Sequence, residues 1–226
     1  MTLPPFAMNR GDGPLSYAQN SSYQRGAVDA AKNIINEEID TKLDIKQILS
    51  PNSTSFNLVD FGCSSGPNTI LAVKVILEAI ERKLKSINGL NSDQHYPEFH
   101  VFFNDQLDND FKTLFTLLPP TKQFFAATAP GSFYGRLFPK ASIHFAYSSC
   151  ALCWLSKVPG ELIEKASPAW NPGRIHYTGA PKQVREAYFA QYKKDVDLFL
   201  SSRGEELVSG SLMTLLVPGV PEGHCT

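Results

Sequence analysis

No run of apolar residues in this chain approaches the roughly 20 needed to cross a bilayer, so the sequence gives no ground for a membrane partner. A surplus of positive charge is missing as well. With 21 Lys and Arg against 22 Asp and Glu, scattered rather than clustered, there is no electrostatic basis for a nucleic-acid partner. The start, MTLPPFAMNRGDG, lacks the basic region and the apolar stretch of roughly 7–15 residues that mark a signal peptide, so the expectation is a cytoplasmic protein with reduced thiols. Cysteine is scarce. Cys150 and Cys153 form a CxxC, but Cys63 and Cys225 stand alone, and no second pair completes a zinc site. The five histidines make no HExxH, and Ser64 and Ser65 lack the GxSxG context of a hydrolase elbow. Neither GxxxxGK[ST] nor GxGxxG is present, which argues against a phosphate loop and a dinucleotide fingerprint.

What is present is a chain that is 42% hydrophobic over 226 residues, enough for one sizeable core and one domain over 1–226. Val28, Ala31, Ile35, Ile39 and Leu43 recur at helical spacing and predict a leading helix within 27–49. Short apolar runs at 56–61, 99–103, 124–128, 143–147 and 212–217 read as five strands. Between the first two, Ile70, Val73, Leu77, Ile80, Leu84 and Ile87 predict a second helix. A third runs from Pro181 to about Arg203, its expected buried face being Val184, Tyr188, Tyr192, Val196 and Leu200. The Pro- and Gly-rich stretch 158–180 reads as irregular or mobile. Strands alternating with helices predict an α/β domain with a largely parallel sheet.

The first strand runs into VDFGCSSGPNT, in which Asp60-x-Gly62-x-x-x-Gly66 occupies the strand-to-helix turn where α/β proteins bring backbone against a nucleotide-like ligand. Glycine lets such a turn bend and leaves room for a ligand, and the acid suits an ammonium group. With phosphate motifs absent, the pattern suits S-adenosylmethionine, a sulfonium carrying an amino acid at one end and a ribose at the other. Asp105, at the end of the second strand, is placed to take both ribose hydroxyls, while Asp108 and Asp110 precede FKTLF and suit the start of a helix.

Taken in order, Asn20-Ser21 with Gln24 in GDGPLSYAQNSSYQR, then DFGCSSGPNT, FNDQLDNDF, PGSFYGRLFP and IHFAYSSCALCWLSKVP resemble the plant SABATH family of carboxyl and N-methyltransferases from about Met8 to the end. The resemblance implies a Rossmann-like class I methyltransferase sheet with flanking helices and an S-adenosyl-L-methionine cofactor. It assigns the methyl donor to Tyr17, Ser21, Asp60, Cys63, Asn68, Asp105, Gln106, Ser132 and Phe133. It assigns the acceptor, a small apolar acid methylated on its carboxylate, to Gln24, Cys150, Cys153 and Trp154. Gln24 and Trp154 would donate hydrogen bonds to that carboxylate. Asn171 matches a metal-contacting asparagine, with magnesium as the implied ion, and a homodimer is implied as well. Some family members methylate nitrogen instead. Gln106, Tyr147 and Cys150 depart from the leucine, histidine and tyrosine common at these positions, and Asn9 replaces a lysine found in some members. Family members also continue past Thr226 through helices that cap the pocket, so the resemblance implies that most of this cap is missing here. A second reading is accordingly a truncated, non-catalytic binding or dimerisation module. A third, a nucleotide-binding α/β enzyme of another class, is disfavoured by the missing motifs.

Overall fold

The computed structural model describes residues 7–49, 54–88, 96–121, 123–174 and 177–219, without the Asn88 side chain. Cys225 lies outside the described residues. Five parallel strands form one sheet: β1 (Ser55–Phe61), β2 (Glu98–Asn104), β3 (Phe124–Thr128), β4 (Ile143–Ser149) and β5 (Leu207–Leu216), in the spatial order β3-β2-β1-β4-β5. The chain winds outward from β1 to β3, then returns to β1's other side for β4. The carboxyl ends of β1 and β4 therefore flank the topological switch point, where open α/β sheets bind ligands.

The helices are α1 (Tyr17–Asn20), α2 (Ser22–Lys42), α3 (Ile45–Ile48), α4 (Pro67–Asn88), α5 (Phe111–Thr116) and α6 (Lys182–Glu206). The expected leading helix starts earlier than its apolar stripe and is broken near its end. Leu43 turns to extended backbone, and the Asp44 carboxylate accepts from the amides of Lys46 and Gln47 to restart the chain as α3. Pro67 opens α4 at the first helical position, where its missing amide costs nothing. Asp110 caps α5 through the Thr113 amide, as expected of that acid.

Alternation along the strands separates two cores. Phe56, Leu58, Val101, Phe103 and Phe145 pack against α2, α3 and α4, while Val59, Phe61 and Ala146 pack on the other face against Phe138, Leu152 and Phe199. The described residues of the stretch 158–180 are irregular apart from a 3-10 turn at Gly160–Leu162, yet Leu162, Ala169 and Ala180 anchor them against Val184 of α6.

Two expectations need correcting. Strand β5 begins five residues before the apolar run, directly at the end of α6, through a bulge in which Gly210 adopts φ +86° against Gln47. The buried face of α6 keeps Val184 of the expected row but otherwise runs through Gln191, Asp195, Phe199, Arg203 and Glu206, with Tyr188, Tyr192 and Val196 half-buried and Leu200 exposed. Residues four apart advance by roughly 40° beyond a full turn, so a strict i+4 row of five slides roughly 160° around the helix.

Candidate functional site

Gly62 follows β1 with φ +80°, and its amide and that of Cys63 both donate to the Asn104 carbonyl, at 2.9 and 3.0 Å, tying the turn to the end of β2. The buried Asn104 side chain then donates to the carbonyls of Ala129 and Gly131, which places the PGSFYG segment beside the turn. Ser64 sits at φ +54°, an unusual conformation for serine, and its amide donates to Asp105 Oδ2 at 2.7 Å. Asp105 Oδ1 accepts from the Gln106 amide at 2.7 Å. An ionised carboxylate has roughly four acceptor positions, so these two bonds orient Asp105 and leave it able to accept ribose hydroxyls.

The N-terminal helices close over the turn. Asn68 of α4 donates to the carbonyl and hydroxyl of Ser21, both at 3.0 Å. The Tyr17 ring lies so close to Gly66 that a β-carbon there would meet two ring atoms at 3.0 Å. Arg10 donates to the Asp108 carbonyl and the Gly11 amide to Asp110, so the segment leading into α1 is fastened to the β2–α5 connection. The resulting cleft, about 280 Å³ of atom-free space partly open to solvent, is lined by residues that include Tyr17, Gln24, Asp60, Cys63, Asn68 and Tyr147.

Its electrostatics are those of buried acids. Burial pushes the Asp60 carboxyl up to about 7, a hydrogen bond from Thr69 pulls it down, and the nearby Asp105 raises it further. Burial also raises Asp105, partly offset by the Ser64 and Gln106 amides. The Tyr17 phenol is pushed up to about 12 by burial, and the Cys63 thiol well above its ordinary value by burial and then by Asp60 and Asp105. Cys63 is thus a protonated wall of the cleft and no nucleophile.

The expected acceptor residues are divided between the cleft, which Gln24 lines, and the segment that follows β4, which carries Cys150, Cys153 and Trp154. Gln24 Oε1 is buried in the cleft without a protein partner, as are the hydroxyls of Ser64 and Ser65 in the turn. Cys150, just past β4, sits at φ +55°, and the exposed Cys153 donates its thiol to the Cys150 carbonyl. Trp154 is half exposed, its carbonyl accepting from the Tyr134 hydroxyl. The Phe133 ring packs over the turn, 3.5 Å from where a Gly62 β-carbon would stand, whereas the Ser132 side chain is exposed. Gln106 follows Asp105 at the rim, half-buried. Asn171 lies elsewhere, in the irregular stretch, giving its amide to the Arg174 carbonyl. Among the described residues no three His, Cys, Asp or Glu side chains are grouped to hold a metal, so they do not furnish a ligand set for magnesium.

The donor side fits S-adenosylmethionine by its chemistry: a carboxylate at the end of β2 for a ribose, an aromatic ring beside it, and buried acid, amide and hydroxyl groups for an amino-acid end. Sequence reasoning missed the residues that hold this arrangement from behind. Arg203 and Glu206 of α6 bind the backbone of 133–138, and Asp195 binds Ser156.

Comparison with known proteins agrees with this fold. A family model described as SAM dependent carboxyl methyltransferase matches residues 4–225. Loganic acid O-methyltransferase of Catharanthus roseus is 53% identical over 96% of the chain and 57% of its own length. Farnesoic acid carboxyl-O-methyltransferase of Arabidopsis thaliana is 48% identical over 96% of the chain and 60% of its length. A solved structure of loganic acid methyltransferase with SAH superposes with a TM-score of 0.89 at 52% identity, covering 96% of this chain and 60% of that one. The chain spans about three fifths of the length of these relatives, and over that span it belongs to the family of SAM-dependent carboxyl methyltransferases, the SABATH family.

Proposed function

We propose that the chain carries the methyl-donor site of an enzyme that transfers a methyl group from S-adenosylmethionine to the carboxylate of a small acid. The observation that carries this is the oriented Asp105 beside a turn whose acid, Asp60, is buried in a cleft at the switch point. The relatives named for loganic and farnesoic acid support a carboxylic acid as acceptor. S-adenosylmethionine supplies an electrophilic methyl group on a positively charged sulfur. Asp105 holds the ribose, Phe133 flanks the adenine, and Tyr17, Ser21, Asp60, Cys63 and Asn68 surround the amino-acid end. Gln24 and the Trp154 indole N–H donate to the acceptor carboxylate, with Cys150 and Cys153 on the segment that carries Trp154. A carboxylic acid is already ionised at neutral pH, so no general base is needed and the protein acts by alignment and exclusion of water. Homodimer formation belongs to the proposal on the strength of the resemblance alone, and a cytoplasmic location on the sequence reading alone. Titration of the purified chain with S-adenosylhomocysteine tests the reading. Saturable one-site binding is expected, and a folded chain that binds NAD but not S-adenosylhomocysteine would overturn it.

Asp60 adds a pH signature. Below about 7 its carboxyl is protonated, and Thr69, Tyr17, Cys63, Tyr147 and Asp105 around it supply no cation to charge it. An arriving ammonium favours the ionised form, so affinity for S-adenosylhomocysteine should rise with pH through about 7 and then level off. For one coupled proton the gain from pH 6 to pH 8 is about tenfold. Calorimetry at the two pH values should show it, and Asp60→Asn should flatten it. The unliganded chain has the opposite slope. Because the folded pKa of Asp60 is raised, its share of stability is complete below about 4 and lost as pH climbs to about 7, which thermal melts will show.

A further inference from the structure

Helix α6 stands behind the cleft and contributes none of the residues assigned to donor or acceptor. Its buried ridge is nevertheless polar where a helix packed on a sheet is ordinarily apolar. Arg203 is 1% exposed and Glu206 0%, joined by Arg203 Nε to Glu206 Oε2 at 2.8 Å. Among the described residues, the other side-chain hydrogen bonds of this pair go to one stretch of main chain. Arg203 Nη1 donates to the Phe133 carbonyl at 2.7 Å and Nη2 to the Gly135 carbonyl at 2.9 Å, while Glu206 Oε1 accepts from the Leu137 amide and from the Phe138 amide at 2.9 Å. The guanidinium lies 4.2 Å from the ring centre of Phe61, the residue before Gly62, and 4.9 Å from that of Phe199. The pair therefore fixes Phe133 relative to the glycine turn, the two walls between which the adenosine is proposed to lie.

Two turns back on the same ridge, about 12 Å along the helix, Asp195 is fully buried and holds a different loop. Its Oδ2 accepts from the Ser156 amide at 2.8 Å, and its Oδ1 from the Ser156 hydroxyl at 2.6 Å and from Gln191 Nε2 at 2.8 Å. Ser156 is two residues beyond Trp154. Phe199, between the clamps, packs edge-on against Phe61 and Phe133.

We infer that α6 is a positioning element with two separable clamps, Arg203–Glu206 setting the donor wall through Phe133 and Asp195 setting the acceptor wall through the Trp154–Ser156 loop. The inference rests on the methyl-donor reading of the cleft. A buried polar group with no role beyond stability would be expected to act on the fold as a whole, whereas the Arg203–Glu206 pair and Asp195 each direct their bonds beyond α6 to one site loop.

Hydrogen exchange and titration on Arg203→Lys and Asp195→Asn in the full chain test it. Arg203→Lys keeps the charge but loses the fork that spans two carbonyls. Exchange across 132–138 should quicken at least tenfold with β1 and β2 unchanged, and affinity for S-adenosylhomocysteine should fall about tenfold. Asp195→Asn keeps one oxygen for the Ser156 amide, but the nitrogen in the other place cannot accept from the Ser156 hydroxyl or from Gln191 Nε2. Exchange across 154–157 should quicken at least tenfold, with affinity for S-adenosylhomocysteine held within twofold. Uniform quickening over the sheet, or either variant loosening both loops alike, would overturn the inference. If Arg203→Lys does not fold, Glu206→Gln carries the same test. Failure of the wild-type chain to bind S-adenosylhomocysteine would remove the donor reading, and exchange would still decide whether the two clamps act separately.

Discussion

Replacing Asp105 by alanine is expected to weaken S-adenosylhomocysteine binding at least about 100-fold while leaving the chain folded. Hydrogen bonds to a charged group contribute about 1.5–3 kcal/mol each, so losing two to the ribose removes about 3–6 kcal/mol, and each 1.4 kcal/mol is a factor of ten. A second loss adds to this. The carboxylate also holds the Ser64 amide at 2.7 Å, and Ser64 at φ +54° is in a conformation that local bonding must maintain. Without Asp105 the turn is freed to relax. Asp105→Asn separates the two effects, because its remaining oxygen can hold one amide but its nitrogen cannot accept from a ribose hydroxyl. An intermediate loss of affinity, with melting close to wild type, is expected. Unchanged calorimetric affinity in a folded Asp105→Ala variant would remove this residue from the site and with it the main support for the donor assignment.

Much of this site could be read from the sequence because its signals are identities. A glycine where a turn needs positive φ and an acid at the end of a strand each leave a one-residue mark, as Gly62 and Asp105 do. The central strands were legible for a related reason. Buried on both faces, β1 and β4 read as apolar runs. The early part of β5 was not, since the pairing slips between Leu207 and Leu212 and Gly210, within that slip, lies against Gln47, far away in the chain. Helix α6 was harder still. Its buried ridge carries Gln191, Asp195, Arg203 and Glu206, so hydrophobic periodicity points to the wrong face. The partners of Arg203 and Glu206 outside their own pair are peptide groups, which are the same in every residue. Nothing in the letters of PGSFYGRLFP shows that its carbonyls and amides are the ligands of a buried ion pair, and only the three-dimensional path of the chain reveals it.

The largest effect on stability is expected at Gly62. A β-carbon there would fall 2.2 Å from the Ala151 β-carbon, far inside contact distance, at φ +80°. The left-handed conformation costs a residue with a side chain about 1–2 kcal/mol, and forcing an extra carbon into a packed site about 1–3 kcal/mol. Gly62→Ala should therefore lose about 2–5 kcal/mol, which for a chain of this size lowers the melting temperature by roughly 5–20 °C. The two costs can be separated. Gly62→Ala combined with Ala151→Gly removes the overlap but not the backbone strain, so the double variant should recover the packing part and stay about 1–2 kcal/mol below an Ala151→Gly control. A cost of Gly62→Ala no smaller in the Ala151→Gly background than in the wild-type chain would show that the overlap is not the cause. The consequence for function follows from what Ala151 carries. It links Cys150, itself at φ +55°, to the loop bearing Cys153 and Trp154. A side chain at Gly62 pushes that loop and the Phe133 ring away from the turn together. One added methyl group should thus open the proposed donor and acceptor walls at once, and Gly62→Ala should lose affinity for S-adenosylhomocysteine even at temperatures where it remains folded.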